Sequence, residues 1–207
     1  YTQAELAVTL KPLDVFDQAP RPAGSRQHGE VMISSIATIF KKLKLDTHEN
    51  VGWGTIDLPE MELHTTAWWV ALDPPAVADW RREELDAALV GVGRALQTVA
   101  AVLLMSDPRD LGMVAQVQSP HAERPVIYLW EAAPGGVGMS PRLFDRTEEL
   151  VVGALELVRD CDCEVGCPAC VGPRGESRLD GRALALRLLQ VMSERPAVPT
   201  PAAEVAA

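Results

Sequence analysis

The chain has 207 residues, of which 47% are hydrophobic and 23% are charged, and its formal net charge is -10. This composition is ordinary for a folded soluble protein, and the length allows a sizeable core without a framework of disulfides. Free-standing nucleic-acid-binding proteins are usually basic, so the charge argues against autonomous tight binding of DNA. No uninterrupted apolar run reaches the roughly 18 residues of a membrane span, and no secretory signal pattern is present. Because the first residue is Tyr1, we expect the chain to be either a piece of a larger protein or a chain trimmed to its ordered part.

The first third of the sequence is rich in predicted strands. Residues 6–10 are predicted to form a short strand. Residues 31–45 and 61–72 are predicted to be longer extended segments, because β-branched and aromatic side chains recur in them. Prolines and glycines within residues 18–29 indicate a loop between the first two.

A long helix is predicted to follow Pro74. Asp79 is the expected N-cap and Pro108 ends the segment. Gly91 and Gly93 weaken the helix and would allow another element to pack closely against it. The apolar residues recur at spacings of three and four, which fits one face of a helix: Leu85, Leu89, Val92, Leu96, Val99 and Leu103.

The remainder mixes strands and helices. Strands are predicted at residues 114–118 and 125–130, a helix at residues 144–158, and a last helix with Asp180 as its N-cap. This order predicts an α+β fold, with a strand-rich N-terminal third followed by mixed helices and strands. The cysteines fall between the last two helices.

We expect one domain over residues 1–194 and a disordered tail over residues 195–207. The tail holds three prolines and few large apolar residues, so it has little to bury.

All four cysteines lie within ten residues, in the pattern C-x-C-x3-C-x2-C. They are Cys161, Cys163, Cys167 and Cys170. Structural zinc sites hold the ion in a tetrahedron of four ligands, which are commonly all thiolates. Gly166 permits the sharp curl that such crowding needs, and Pro168 stiffens the following turn. The pattern therefore predicts one structural zinc ion with no open position for water.

Disulfides, an iron–sulfur cluster and free thiols are the alternatives for these cysteines. Secreted disulfide frameworks spread their cysteines along the chain, and the ligands of iron–sulfur clusters are usually less crowded. Zinc is therefore favoured, and with it a reducing compartment such as the cytoplasm.

The segment after the cysteines is the most cationic part of this acidic chain. Residues 171–195 contain five arginines against three carboxylates. Arg174, Arg178 and Arg182 are candidates for phosphate contacts, since the planar guanidinium can donate two parallel hydrogen bonds. A second explanation is equally open: the same arginines would offset the -2 charge that four thiolates and one zinc ion leave behind.

Three further features carry weaker signals. The loop at residues 135–138, Gly-Gly-Val-Gly, follows a predicted strand, but it lacks the third glycine of a dinucleotide-binding loop. No Gly-Lys-Ser/Thr sequence exists in the chain, so we expect it neither to bind nor to hydrolyse ATP.

Asp110, His121 and Glu131 could form a nuclease-type metal site, although caps and surface charges explain them better. The tryptophans could stack on bases, but core packing is favoured for most of them: Trp53, Trp68, Trp69, Trp80 and Trp130.

Several of these motifs together resemble a known family. Residues 127–138, Ile-Tyr-Leu-Trp-Glu-Ala-Ala-Pro-Gly-Gly-Val-Gly, are followed by a helix and then by residues 166–171, Gly-Cys-Pro-Ala-Cys-Val. This order resembles the MZB domain, the zinc-binding C-terminal domain of mitomycin-repair-type DEAD/DEAH-box helicases. Residues 58–68, the Asp-Leu-Gly turn at 110–112 and Leu-Asp at 179–180 resemble further parts of that domain.

The resemblance implies a zinc-containing accessory domain of an ATP-dependent DNA helicase that works in DNA repair. The implied partners are the motor core of the same parent chain and DNA, which the parent is expected to bind in single-stranded form. Two alternatives remain. The chain could be an interaction subunit that recruits a separate helicase, for example in phage defence, or an independent nuclease that uses Asp110 and Glu131.

Overall fold

Six strands form one antiparallel sheet in the computed structural model, which describes residues 2–44, 50–56, 58–172 and 179–193. The strands are β1 (Thr2–Arg21), β2 (Gly24–Leu43), β3 (Asn50–Thr55), β4 (Met61–Leu72), β5 (Leu111–Gln116) and β6 (Val126–Glu131). The helices are α1 (Arg82–Leu104), α2 (Met139–Asp145), α3 (Thr147–Arg159) and α4 (Gly181–Ser193). The predicted α+β class is confirmed, and the cysteines lie between α3 and α4. The proposed tail, residues 195–207, lies outside the described residues.

The sheet has the order β1-β2-β4-β6-β5, and β3 pairs with the far end of β2. Its first two strands are much longer than predicted, and the predicted loop at residues 18–29 is wrong. Both strands continue through this region to a tight turn at Ala23, which has a positive φ of 62°. The glycines that suggested a loop serve close packing instead: a Cβ on Gly24 would lie 2.0 Å from the carbonyl oxygen of Ala71. Prolines are tolerated in β1 because it is an edge strand.

The C-terminal half of strand β4 is buried on both sides and separates two apolar clusters. Trp68, Val70 and Leu72 point to the helices, whereas Trp69 and Ala71 point to the other side of the sheet. The second cluster also contains Leu10, Val31 and Tyr128. The edge strands β1 and β5 contact each other, so the sheet curls around this second cluster.

Helix α1 is the central helix of the first cluster. Gly91 and Gly93 allow close packing as expected, because a Cβ on Gly91 would lie 3.1 Å from that of Ala185 in α4 and one on Gly93 would lie 2.6 Å from the sulfur of Met113. By its length and composition alone this helix could cross a membrane. Of its most apolar 18-residue stretch, 56% is buried inside the fold. Its contacts with α3, α4 and β5 make it the core helix of this domain.

The predicted N-cap of α1 is wrong. The helix begins at Arg82, with Arg81 as N-cap and the Glu84 carboxylate accepting from the Arg81 amide. Asp79 comes too early, because the Trp80 amide still donates to Val77 at the end of a short 3-10 turn, Pro74–Val77.

The single helix predicted at residues 144–158 is two helices, α2 and α3, which meet at Arg146. Thr147 fixes their junction. Its hydroxyl donates to the carbonyl of Leu143 at 2.8 Å and accepts from the indole nitrogen of Trp68 at 3.0 Å. This buried contact connects the start of α3 to the centre of the sheet.

Candidate metal centre

The four cysteines lie in the loop that joins α3 to α4. The amides of Cys170 and Gly172 both donate to the carbonyl of Cys167, at 3.1 and 2.9 Å, which closes a tight turn around it. Gly166 and Gly172 have φ values of 128° and 93°, a region that other residues rarely adopt. The role predicted for Gly166 in curling the loop is thus supported by its backbone.

The four Sγ atoms all lie within 4.8 Å of one another. Four neighbouring pairs are separated by 3.5 to 3.6 Å, and they join Cys161 to Cys163 and Cys167, and Cys170 to the same two residues. A tetrahedral zinc ion with zinc–sulfur bonds of about 2.3 Å places its ligands about 3.8 Å apart. The observed spacing fits that geometry and is far longer than a disulfide bond of about 2.05 Å.

The thiols are packed against the core rather than held in open solvent. Cys170 is 1% exposed, and the other three are half-buried beside the first apolar cluster. Four sulfurs complete a tetrahedral shell, so this arrangement leaves no position for a reacting water. The site is structural in character.

The crowding of the sulfurs shifts their protonation. Desolvation, together with hydrogen bonding to Cys161, raises the pKa of Cys163 to about 12. A hydrogen bond from the Ala169 amide, together with the Cys170 thiol, lowers the pKa of Cys167 to about 7. A bound metal replaces these protons, since thiolates are the form that coordinates zinc.

Arg182 connects the start of α4 to the end of α3. Its Nε donates to the carbonyl of Val158 at 3.1 Å and its Nη2 to that of Arg159 at 2.9 Å, where the last carbonyls of α3 have no partner within the helix. Its amide donates to Val165 in the cysteine loop at 3.2 Å. The Arg182 guanidinium therefore stabilises the contact between the start of α4 and the end of α3. Arg174 and Arg178 lie outside the described residues.

We expect Arg182→Gln to lower the free energy of unfolding by about 1–2 kcal/mol, because it removes two charge-assisted hydrogen bonds to helix-terminal carbonyls. Denaturant unfolding of the zinc-loaded protein measures this change. Arg142→Gln removes the same charge at an exposed position of α2 and is the control. Equal stability of the two variants would contradict the capping role.

Glu131 organises the glycine loop at residues 135–138. Its side chain is fully buried, and its Oε1 accepts from the amide and the hydroxyl of Ser140, at 2.8 and 2.6 Å, and from the hydroxyl of Thr66 at 2.7 Å. Its Oε2 accepts from the amide of Val137. Burial alone raises the pKa of this carboxyl group, but the hydrogen bonds outweigh it and hold the pKa below its usual value.

The Glu131 carboxylate accepts hydrogen bonds from the same amides that a bound phosphate would need. The loop and the first turn of α2 direct their N–H groups at Glu131, so the charge expected there is supplied by the chain itself. A Cβ on Gly136 would lie 2.2 Å from the Thr66 hydroxyl, which shows how closely the loop packs on β4. The arrangement supports a tight structural turn. Sequence reasoning missed this role of Glu131, because Thr66 comes from another strand and Ser140 from the helix that follows the loop.

The nuclease-type site does not form. Within the part of the chain that the structure describes, the four cysteines are the group whose donor atoms could share one ion. Asp110 instead accepts a hydrogen bond from the amide of Asp107 at 3.0 Å and so closes a short 3-10 turn. Glu131 accepts hydrogen bonds from the amides of Val137 and Ser140.

The tryptophans divide between the core and the surface. Trp68 and Trp69 are buried as predicted, and the guanidinium of Arg187 lies 4.2 Å from the ring centre of Trp80. Trp53 in β3 is 73% exposed. Core packing therefore explains two of these side chains fully and does not explain Trp53.

This geometry defines the class: an α+β domain that holds one structural zinc ion in a loop between two helices. The sequence profile of the family described as "MrfA Zn-binding domain" matches residues 92–171, which run from the middle of α1 to the residue after Cys170. This match confirms the resemblance for residues 92–171, and the description of the family names zinc as its metal.

Relatives and solved structures extend the similarity over nearly the whole chain. An uncharacterized ATP-dependent helicase of Bacillus subtilis (strain 168), YprA, is 36% identical over 194 residues, which are 94% of this chain and 25% of that protein. The crystal structure of the DUF1998 helicase MrfA bound to DNA is 37% identical, with a TM-score of 0.74 and coverage of 93% of this chain and 26% of that one. A further crystal structure of the DUF1998 helicase MrfA is 30% identical, with a TM-score of 0.65 and coverage of 91% and 24%. The chain thus spans about a quarter of the length of these helicases.

Proposed function

We propose that this chain is the zinc-stabilised accessory domain of an ATP-dependent DNA helicase acting in DNA repair in the cytoplasm. Cys161, Cys163, Cys167 and Cys170 hold the zinc ion. The domain docks on the motor core of the same parent chain. The observation that carries the proposal is the tetrahedral spacing of the four sulfurs in a chain that aligns along most of its length with a quarter of a helicase.

The zinc ion has a mechanical role in this proposal. It fixes the loop between α3 and α4, and both helices pack on α1. Because the cysteine loop also binds the first turn of α4 through the Val165 carbonyl, metal binding positions α4 against the rest of the domain. A rigid domain of this kind can guide DNA or another domain without contributing chemistry of its own.

The proposal is tested on the full parent protein. We expect its upstream sequence to contain a Gly-Lys-Ser/Thr phosphate-binding loop and the purified parent to unwind duplex DNA with ATP. An interaction subunit that recruits a separate helicase is the second candidate. A parent without such a loop, isolated in a stable complex with a separate ATPase, would favour that candidate and contradict the first.

DNA binding by this domain is part of the proposal, and it concerns the arginines that follow the zinc loop. In the parent, changing Arg174, Arg178 and Arg182 together to Gln should weaken binding of single-stranded DNA. The salt dependence of binding should flatten by about one unit in slope for each arginine–phosphate pair that the substitutions remove. Fluorescence anisotropy at several salt concentrations measures both quantities.

The single variant Arg182→Gln separates the two roles of these arginines. Since the Arg182 guanidinium already donates to α3, a loss of DNA affinity should come mainly from Arg174 and Arg178. If the triple variant keeps both affinity and salt slope while its melting temperature falls, the arginines are structural and DNA binds elsewhere.

A further inference from the structure

The exposed face of α1 changes character along its length. Toward the N-terminus its exposed residues are mostly charged: Arg82, Glu83, Asp86 and Arg94, with Val90 among them. After Arg94 the exposed positions are Thr98 and Val102, and Met105 follows as the C-cap. Val102 is 76% exposed and Met105 is 90% exposed. Val102 and Met105 are three residues apart and neighbours at the end of the helix, and contiguous exposed apolar surface, unlike single scattered residues, marks an interaction site.

Thr98 and Val102 line a groove of about 470 Å³ between α1 and α3, and Met105 follows three residues after Val102, beyond the lining, at the end of α1. Val99, Val102 and Leu157 supply its apolar lining, and Gly153 lets the helices approach, because a Cβ there would lie 2.9 Å from Val99. Cys161 lies at the groove as well, so the zinc loop forms part of its wall.

One side of the groove is acidic. Glu156 and Asp160 lie on the α3 side, one turn apart, and both are exposed. Asp160 is paired with Arg159 at 2.8 Å, so the two carboxylates and this guanidinium leave the rim with one net negative charge. An apolar strip bordered by carboxylates is complementary to an amphipathic segment that has aliphatic side chains on one face and a cationic side chain beside them.

We propose that the α1–α3 groove is the docking site for a cationic amphipathic segment of the parent's motor core. This inference rests on the proposed function, because it names the surface through which the domain docks. A second copy of this domain fits less well, since each copy carries a net charge of -10 and an acidic rim would meet an acidic chain. The relatives are about four times as long as this chain, which leaves ample chain to supply the segment.

The test measures whether the segment that docks in the groove also covers Met105, the C-cap of α1, which follows three residues after the lining residue Val102. Brief exposure to hydroxyl radicals, followed by mass spectrometry, reports the solvent accessibility of each methionine. We expect Met105 to oxidise several-fold more slowly in the zinc-loaded parent than its 90% exposure in this domain implies. Val102→Asp, which places a charge on the apolar strip, should restore fast oxidation, and Glu156→Lys should do so by reversing the rim charge.

Val90→Asp is the matched control, because Val90 is an exposed valine on the same helix but outside the groove. It should leave Met105 protected. Because Val102 is 76% exposed, its replacement should not unfold the domain, which the zinc content of the variant verifies. Fast oxidation of Met105 in the wild-type parent would overturn the proposal, as would protection that disappears on dilution to a monomer, since that would identify a second copy as the occupant.

The accessibility of Met105 is independent of whether the parent is a helicase. If the parent unwinds DNA but leaves Met105 exposed, the docking site is contradicted and the proposed function stands. If the parent protects Met105 but does not unwind DNA with ATP, the intramolecular docking site stands and its occupant does not belong to a helicase motor core.

Discussion

Cys167→Ser is expected to abolish stoichiometric zinc binding and to remove most of the free energy of unfolding of the domain. Structural zinc contributes roughly 10–16 kcal/mol of apparent binding energy in small zinc domains, and that energy is also folding energy. The total stability of a domain is about 5–15 kcal/mol, so the removal of one of four ligands is large on this scale. Cys167 is also the centre of the loop, because its carbonyl accepts from Cys170 and Gly172.

Thermal unfolding by circular dichroism, with zinc content determined on the same samples, measures this effect. Cys167→His is the informative control, because a histidine nitrogen can replace a thiolate in a tetrahedral zinc site and should recover part of the binding. A chelator should lower the melting temperature of the wild type and have little further effect on Cys167→Ser. An unchanged melting temperature in the serine variant would contradict a structural role for the metal.

Glu131→Gln is expected to lower the free energy of unfolding by about 3 kcal/mol at pH 7, because it replaces a buried carboxylate that accepts charge-assisted hydrogen bonds. A glutamine has one oxygen and one NH2 group, so an amide donor of Val137 or Ser140 would face another donor. Denaturant unfolding measures the difference. Glu123→Gln removes an exposed carboxylate from the loop between β5 and β6 and is the control.

The same carboxylate predicts a pH dependence. Its folded-state pKa lies below the usual value, so its contribution to stability is complete above the unfolded pKa of about 4.3 and is lost as the pH falls through the folded pKa. The stability gap between wild type and Glu131→Gln should therefore narrow below about pH 4.3. Acid also releases the metal, so the comparison runs over the pH range in which both proteins still contain zinc. A gap that stays constant within that range below about pH 4.3 would show that the charge of Glu131 contributes nothing.

Local sequence patterns predict an element correctly when the types of its own residues indicate whether they are buried or bind an ion. The strand predicted at residues 61–72 has the bounds of β4, because β-branched, aromatic and other apolar side chains recur along it. The spacing of Cys161 to Cys170 likewise predicts a shared ion, since four thiols within ten residues can converge without help from distant parts of the chain.

The errors arise where a residue's role depends on distant neighbours. Gly24 and Gly29 indicate a loop by their type, but each is a place where another strand passes too close for a Cβ. Glu131 is an ordinary strand-end carboxylate in the sequence, because its partners come from β4 and from α2. The apolar face of α1 at Thr98 and Val102 is also hidden in the sequence, since its exposure depends on how α3 packs beside it.

X-ray absorption spectroscopy of the purified parent at the zinc edge tests the central claim most directly. We predict about one zinc per chain, surrounded by four sulfur atoms at about 2.3 Å and no light-atom ligand. Iron with inorganic sulfide, no bound metal, or a zinc ion with nitrogen or oxygen among its direct ligands would contradict the assignment of Cys161, Cys163, Cys167 and Cys170 as a closed structural site.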